Sequence, residues 1–313
     1  MPTVRTTDQV IAILCSDIHL SHRCPVARDE EPDWYSAMAR PLAQLRDLAA
    51  KHHAPVLCAG DIFDKWNSPP ELINFALKHL PDMIAVPGQH DLPYHNMDLI
   101  DKSAFWTLVQ AGKVIIPDRL GMSYGGEGKL TIFGFPWGTP LTGPPAVHSV
   151  GRFKLALVHK YIWIDGCGYP GASHESHLLT MPKNSLTDYD LAVFGDNHMA
   201  FITSEGNTQV YNPGTLMRRK ADEIPYRPTV GLLHRSGKIE IHFLDDSEDI
   251  ITELDDLPQS RELKENPNLS DFMEKLSRLQ TTGIDFRDAM LQMLEATKPP
   301  AAVRRIVLDA LGE

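Results

Sequence analysis

Carboxylates and imidazoles recur in short polar clusters along this chain: Asp17-x-His19, Gly60-Asp61-x-x-Asp64, Gly88-Gln89-His90-Asp91, His159 and Gly195-Asp196-Asn197-His198. Oxygen and imidazole donors without thiolate suit Mn²⁺, Fe, Zn²⁺ or Mg²⁺. One carboxylate can bridge two such ions at the roughly 3.5–4 Å separation used in phosphoryl chemistry. A lone Asp-x-His is ordinarily a turn or helix-cap feature. Five clusters, each at the end of a strand-like apolar run, point to a binuclear metal site, since open α/β sheets build their sites at the carboxyl ends of strands.

The elements that must deliver these donors are read from apolar patterning. Val10–Ser16 and Ala54–Ala59 are apolar runs of strand length that break into Asp17 and into Gly60-Asp61. Between them, Trp34–Lys51 carries Met38, Leu42, Leu45, Leu48 and Ala49 near helical spacing, which predicts a crossover helix and a βαβ unit. A second helix is predicted from Pro70 through Leu80, followed by a strand Met83–Val86. Lys129–Phe135, Lys154–His159, Leu191–Phe194, Gln209–Tyr211 and Thr229–His234 are further short strands, the last paired with Lys238–Phe243 across Ser236-Gly237. Long helices are missing between the later strands, so a mixed sheet is expected, and 161–190 reads as a Gly/Ser/His-rich loop region. Beyond Phe243 an acidic stretch leads to three candidate helices, Leu269–Leu279, Phe286–Leu294 and Val303–Leu311. This sets a catalytic domain at 1–245 and an acidic linker with a small helical C-terminal region at 246–313.

In order and spacing these motifs resemble those of the calcineurin-like metallophosphoesterases over about residues 10 to 245. Gly60-Asp61-Ile62-Phe63-Asp64 and Asn212-Pro213-Gly214-Thr215-Leu216-Met217-Arg218-Arg219 narrow the resemblance to the SbcD-like DNA repair exonucleases, including their shorter phage and bacterial versions. The resemblance implies an αββα sandwich of two mixed β-sheets flanked by helices, with the metals at the strand ends. It also implies that Asp17, His19, Asp61 and His198 bind one ion, while a bridging Asp61 holds the second with Gln89, His159 and Asp196. His90 would contact the scissile phosphate or protonate the leaving oxygen, with Asp91 fixing its ring and a metal-bound hydroxide as nucleophile. Asp64 falls behind the metal ligands.

Two positions depart from the family pattern, and both concern the second ion. Gln89 stands where most relatives have Asn, which keeps the amide oxygen but adds a methylene. Asp196 stands where most have His, exchanging a borderline nitrogen for a hard, charged oxygen that favours Mn²⁺ or Mg²⁺ over Zn²⁺. Two divalent ions are therefore expected, Mn²⁺ foremost, with the second held more weakly.

Outside the metal set, Trp66 is a candidate to stack on a base or to pack under Pro69-Pro70. Arg218-Arg219-Lys220 is either a grip on a nucleic-acid backbone or a solvated hairpin face. His174, His177 and Cys167 lack a metal-binding spacing.

The composition is that of a globular chain: 313 residues, 42% hydrophobic and 23% charged, which excludes disordered and fibrous classes. No apolar run approaches the roughly 20 residues of a membrane span, and Met1–Gln9 is too polar for a signal peptide. Cys15 and Cys58 lie in strand-like runs, as buried free thiols would, so a reducing cytoplasm of a bacterial or phage-infected cell is expected. The net charge of -11 argues against generic binding to nucleic acid, but 246–313 holds fifteen acidic and eight basic residues, leaving only -4 for the rest. Two divalent ions would offset that deficit.

The leading expectation is thus a two-metal phosphodiesterase acting on DNA, as exo- or endonuclease. The family adds an SbcC-like ATPase and a homodimer as expected partners. The alternatives are a phosphodiesterase or phosphatase on a small nucleotide or phosphoprotein, and an inactive scaffold.

Overall fold

The computed structural model describes residues 8–125, 130–145, 153–169, 171–182 and 184–252. The three candidate helices beyond residue 268 lie outside the described residues. Strand β1 (Val10–Cys15) leads through helix α1 (Trp34–His52) to β2 (Val56–Cys58), then α2 (Pro70–His79), β3 (Met83–Ala85), α3 (Ala104–Gln110) and β4 (Val114–Ile115). Next come β5 (Met122–Tyr124), β6 (Leu130–Phe135), β7 (Phe153–His159) and β8 (Leu191–Gly195). The series closes with β9 (Phe201–Glu205), β10 (Thr208–Asn212), β11 (Thr229–His234) and β12 (Ile239–Phe243).

Among the described residues these strands form two six-stranded mixed sheets, ordered β12-β11-β1-β2-β3-β4 and β5-β6-β7-β8-β10-β9. β1 to β4 run parallel, with β11 antiparallel to β1. In the second sheet β6, β7, β8 and β10 are parallel and the outer strands antiparallel. Central parallel strands are buried on both faces, which is why β1 and β8 are unbroken apolar runs rather than alternating ones. One face of β1 to β3 (Ala12, Leu14, Leu57, Ile84) meets Ile132, Leu155, Leu157 and Val193 of the second sheet. The opposite face (Ile13, Cys15, Val56, Cys58) packs under Met38 and Leu42 of α1, Phe75 of α2 and Phe105 of α3. The outer face of the second sheet is covered by Ile162, Leu178, Met181, Leu186 and Tyr189, from the 161–190 segment and its short 3₁₀ turns.

The expected two-sheet α/β architecture is present. Four elements go beyond the expectation: β4, β5, β9 and α3. All four cysteines are free, with Cys15 and Cys58 buried. No helix among the described residues is long and apolar enough to cross a membrane.

After β12 the chain is tied back to the body by an ion network. Arg28, 1% exposed, pairs with Glu31 and with Asp249 (3.0 Å), and its Nη1 donates to the Arg218 carbonyl at 2.7 Å. Arg40 reaches the same two carboxylates at 2.7 and 3.0 Å. Removing one member of a buried pair strands the other's charge, at about 3–5 kcal/mol. Arg28→Ala is therefore expected to lower the unfolding free energy by about that amount, read from urea denaturation; a loss below about 1 kcal/mol would assign the network to the surface class.

Candidate metal centre

Every donor sits where a parallel strand ends. Asp17 and His19 follow β1, Asp61 follows β2, and the Gln89–Asp91 turn follows β3; His159 is the last residue of β7, and Asp196 and His198 follow β8. Adjacent parallel strands end side by side, so residues far apart in the chain share one patch. The backbone at four of these positions is left-handed, with φ of 49° at Asp17, 50° at His19, 52° at Asp61 and 79° at Asp196. That conformation is uncommon for any residue but Gly, and here it falls on four of the donors.

Two glycines make room for it. A Cβ on Gly60 (φ 100°) would lie 2.1 Å from His159 Nδ1, and one on Gly88 would lie 2.0 Å from Asp61 Oδ1.

Among the described residues the expected metal donors form two overlapping groups, and His19 forms a third with Asp64 and His90. Ligand atoms of Asp17, His19 and His198 all lie within 4.8 Å of one another, as do those of Asp17, Asp61 and His159. His19 Nε2 and His198 Nε2 are 3.1 Å apart, aimed at the same point. Asp61 Oδ1 accepts from the His90 amide at 3.0 Å, while Oδ2 is 3.8 Å from His19 Nε2 and 3.4 Å from His159 Nε2. That Oδ2 is buried without a hydrogen-bond partner among the described residues. Such an orphaned oxygen is costly unless something absent here completes it. Gln89 ties in the remaining donor: its Oε1 accepts from His159 Nε2 and its Nε2 donates to Asp196 Oδ1, both at 2.7 Å. Asp17, expected on one ion only, lies within reach of both groups.

The electrostatics favour a cation. Burial pushes the Asp17 carboxyl up to about 7. Burial would raise Asp61 as well, but the rings of His159, His19 and His90 hold it below the usual carboxylate range. Burial depresses His19 well below an ordinary imidazole. For His159 burial acts in the same direction, yet Asp61, Asp17 and Asp196 outweigh it and lift the ring to about 10. Carboxylates buried around imidazole rings are the surroundings in which a divalent ion relieves negative charge. The residues present therefore fit a metal centre, and no thiolate takes part.

Three supports behind the donors were not in the sequence reading. Glu223 Oε1 accepts from His198 Nδ1 at 3.1 Å, the carboxylate–histidine arrangement that fixes a ligand ring, and Oε2 accepts from the Arg219 and Lys220 amides. Asn197 donates to the Ile162 and Cys167 carbonyls, anchoring the loop that carries His198. Thr215, in the Asn-Pro-Gly-Thr turn, donates to the Asp17 carbonyl.

The role expected of Asp91 is corrected. Its buried carboxylate accepts from the amides of Ile62, Phe63 and Gly88, at 2.9–3.2 Å, and the His90 ring is held instead by the Asp64 carbonyl, 2.9 Å from Nδ1. Asp91 is a positioning residue that staples the Asp61 loop to the His90 loop. Asp91→Ala leaves three amides unsatisfied, each at about 1–3 kcal/mol. The expected outcome is a fall in melting temperature of at least about 10 °C, with Asp91→Asn recovering part of it, both by thermal melting.

Arg218 is also corrected as a substrate contact, because its guanidinium pairs with Asp246 at 2.9 Å and donates to the Ile224 carbonyl. Arg219 pairs with Asp64 at 2.8 Å, and Asp64 Oδ1 is 3.8 Å from His19 Nδ1, so Arg219 acts on the centre through Asp64. Trp66 is half-buried and lies against Tyr94, ring centroids 5.7 Å apart; Tyr94 is 81% exposed.

Residues 11–237 match the family described as the calcineurin-like phosphoesterase superfamily domain. No curated protein matches the sequence. Among solved structures, a novel archaeal phosphodiesterase is similar at 15% identity over 74% of this chain and 99% of that one, TM-score 0.37. A Thermus thermophilus protein matches at 15% identity over 75% and 98%, TM-score 0.44. A metallophosphoesterase from Sphaerobacter thermophilus matches at 14% identity over 75% and 87%, TM-score 0.37.

Proposed function

The chain belongs to the calcineurin-like phosphoesterase superfamily, a family of phosphoester hydrolases, and on that premise we propose that it is a divalent-metal-dependent phosphodiesterase acting on DNA. The observation that carries the hydrolytic reading is Asp61 Oδ2, buried without a hydrogen bond between the His19 and His159 rings at the meeting point of the strand ends.

In this reading Asp17, His19 and His198 would hold one ion and His159, Gln89 and Asp196 the other, with Asp61 shared by both. When bound, the ions would supply positive charge to the phosphoryl oxygens and acidify water. The hard oxygens of Gln89 and Asp196 favour Mn²⁺ there. His90 does the proton work: the Asp64 carbonyl accepts from Nδ1–H and fixes the ring, and in the imidazolium form the exposed ring would give its Nε2 proton to the leaving oxygen and return to the neutral Nδ1–H tautomer.

DNA as substrate is supported by the two SbcD-like motif runs and by the Trp66–Tyr94 ledge, since bases stack on exposed aromatic faces. From the same resemblance come the proposed partners, an SbcC-like ATPase and a second copy of the chain.

The test is digestion of end-labelled single- and double-stranded DNA with Mn²⁺, Mg²⁺ or chelator, beside bis(p-nitrophenyl) phosphate. Mn²⁺-dependent cleavage of DNA, abolished by chelator, is expected. Turnover of the small diester alone would overturn the DNA assignment and leave the phosphodiesterase chemistry standing.

A further inference from the structure

Beside the metal centre a pocket of about 290 Å³ opens between the loop after β1 and the loop after β2, lined among others by His22, Arg23, Asp64, Lys65, Asn67 and Ser68. The two walls are the loops that carry Asp17, His19 and Asp61, stitched together by the Asp64 amide donating to the Leu20 carbonyl at 2.9 Å. Asp64 is the partition: one side of it faces His19 and His90, the other faces the pocket. A group in the pocket is thus next to the reacting centre and separate from it.

The charge of the lining selects its occupant. Arg23 and Lys65 are exposed and have no carboxylate partner among the described residues. The acid in the lining, Asp64, is already paired with Arg219 at 2.8 Å. His22 has its own partners, Tyr35 at 3.0 Å and Glu71 at 3.7 Å. Helix α2 begins at Pro70 on the pocket edge with no side-chain cap, because its N-cap is Pro69, whose ring offers no acceptor. The N-terminal end of that helix carries Glu71 in its first turn, on the His22 side, so among the described residues the free positive charge of the pocket rests on Arg23 and Lys65. In a body whose formal charge is negative, such a local excess of positive charge suits an anion.

We propose that this pocket binds the phosphate adjacent to the scissile one in a nucleic-acid strand. The proposal rests on the phosphodiesterase reading above and specifies how a polynucleotide is preferred over a small diester. Three consecutive residues divide the work: Lys65 and Asn67 line the phosphate pocket, while Trp66 between them turns to Tyr94 and the base ledge. Spacing along one strand then sets which phosphodiester lies over the metals.

The experiment compares full-length protein with its Arg23→Ala/Lys65→Ala variant on oligothymidylate and on bis(p-nitrophenyl) phosphate, which carries no second phosphate. The ratio of kcat/KM on the oligonucleotide to that on the small diester should fall about tenfold, through KM, each lost phosphate contact weakening binding. Arg23→Lys/Lys65→Arg should restore it, and Arg23→Glu/Lys65→Glu should lower it further. Both side chains are exposed, so melting curves should coincide. A ratio within about twofold of wild type, in a protein that cleaves oligothymidylate, would overturn the pocket alone. A wild-type protein that hydrolyses only the small diester would overturn the DNA reading, and the pocket with it.

Discussion

Asp61→Asn is expected to remove at least about 10³-fold from kcat/KM on any phosphodiester, equivalent to about 4 kcal/mol of transition-state stabilisation. The substitution keeps the shape of the side chain and the acceptor for the His90 amide. It takes away the negative charge of the oxygen between His19 and His159, where the two halves of the centre meet. The fold should survive with some loss of stability, because the rings of His159, His19 and His90 favour the Asp61 carboxylate in its charged form and Asn gives up that attraction while keeping the shape. Elemental analysis of the purified variant should show metal content reduced, with a cooperative thermal transition retained at a somewhat lower temperature. A variant that keeps more than about a tenth of the activity and its full metal content would remove Asp61 from the bridging position.

The second large effect is at His90. His90→Ala should lower kcat on DNA by about 10²–10³-fold, the range for loss of a positioned general acid. Metal content should be unaffected, because the ring hangs from the Asp64 carbonyl rather than from the ligand set proposed here. The leaving group supplies the control. An alkoxide needs a proton as it departs and p-nitrophenolate does not, so the loss on bis(p-nitrophenyl) phosphate should be about tenfold or less. Equal losses on both substrates would reassign His90 from proton donor to phosphate ligand, and a rise confined to KM would say the same.

The parts of this molecule that were legible in its sequence are those with physical signals in short windows. β1, β7 and β8 are buried on both faces, and so appear as apolar runs that stop abruptly at a carboxylate or an imidazole. α1 was legible because it is long and its apolar residues face one side. β4 has two residues and β5 three, too few for any period to show. β9 alternates weakly and exposes Ile202 at 45%. α3 did carry a usable signal in Ser103, whose hydroxyl accepts from the Trp106 amide as an N-cap.

At the site, residue types identified the donors but not their supports. Glu223 sits on a 3₁₀ turn 25 positions from the histidine it orients, and nothing near it in sequence announces the pairing. The resemblance implied that Asp91 fixes the His90 ring, whereas these neighbours in a tight turn point apart, one exposed at the rim and one buried in the protein. Arg218 and Arg219 looked equivalent as a basic run; the fold pairs them with different acids, Asp246 and Asp64.

The four left-handed donors bear on what maintains this protein. Held in that region, an L-residue costs of order 1–3 kcal/mol where glycine would cost nothing, so Asp17, His19, Asp61 and Asp196 burden the fold they belong to. Glycine would relieve the strain at each position but would also remove a side chain, and at Asp17 and Asp61 that side chain accepts a hydrogen bond from a neighbouring loop, so the strained residues are also the ties between the strand ends.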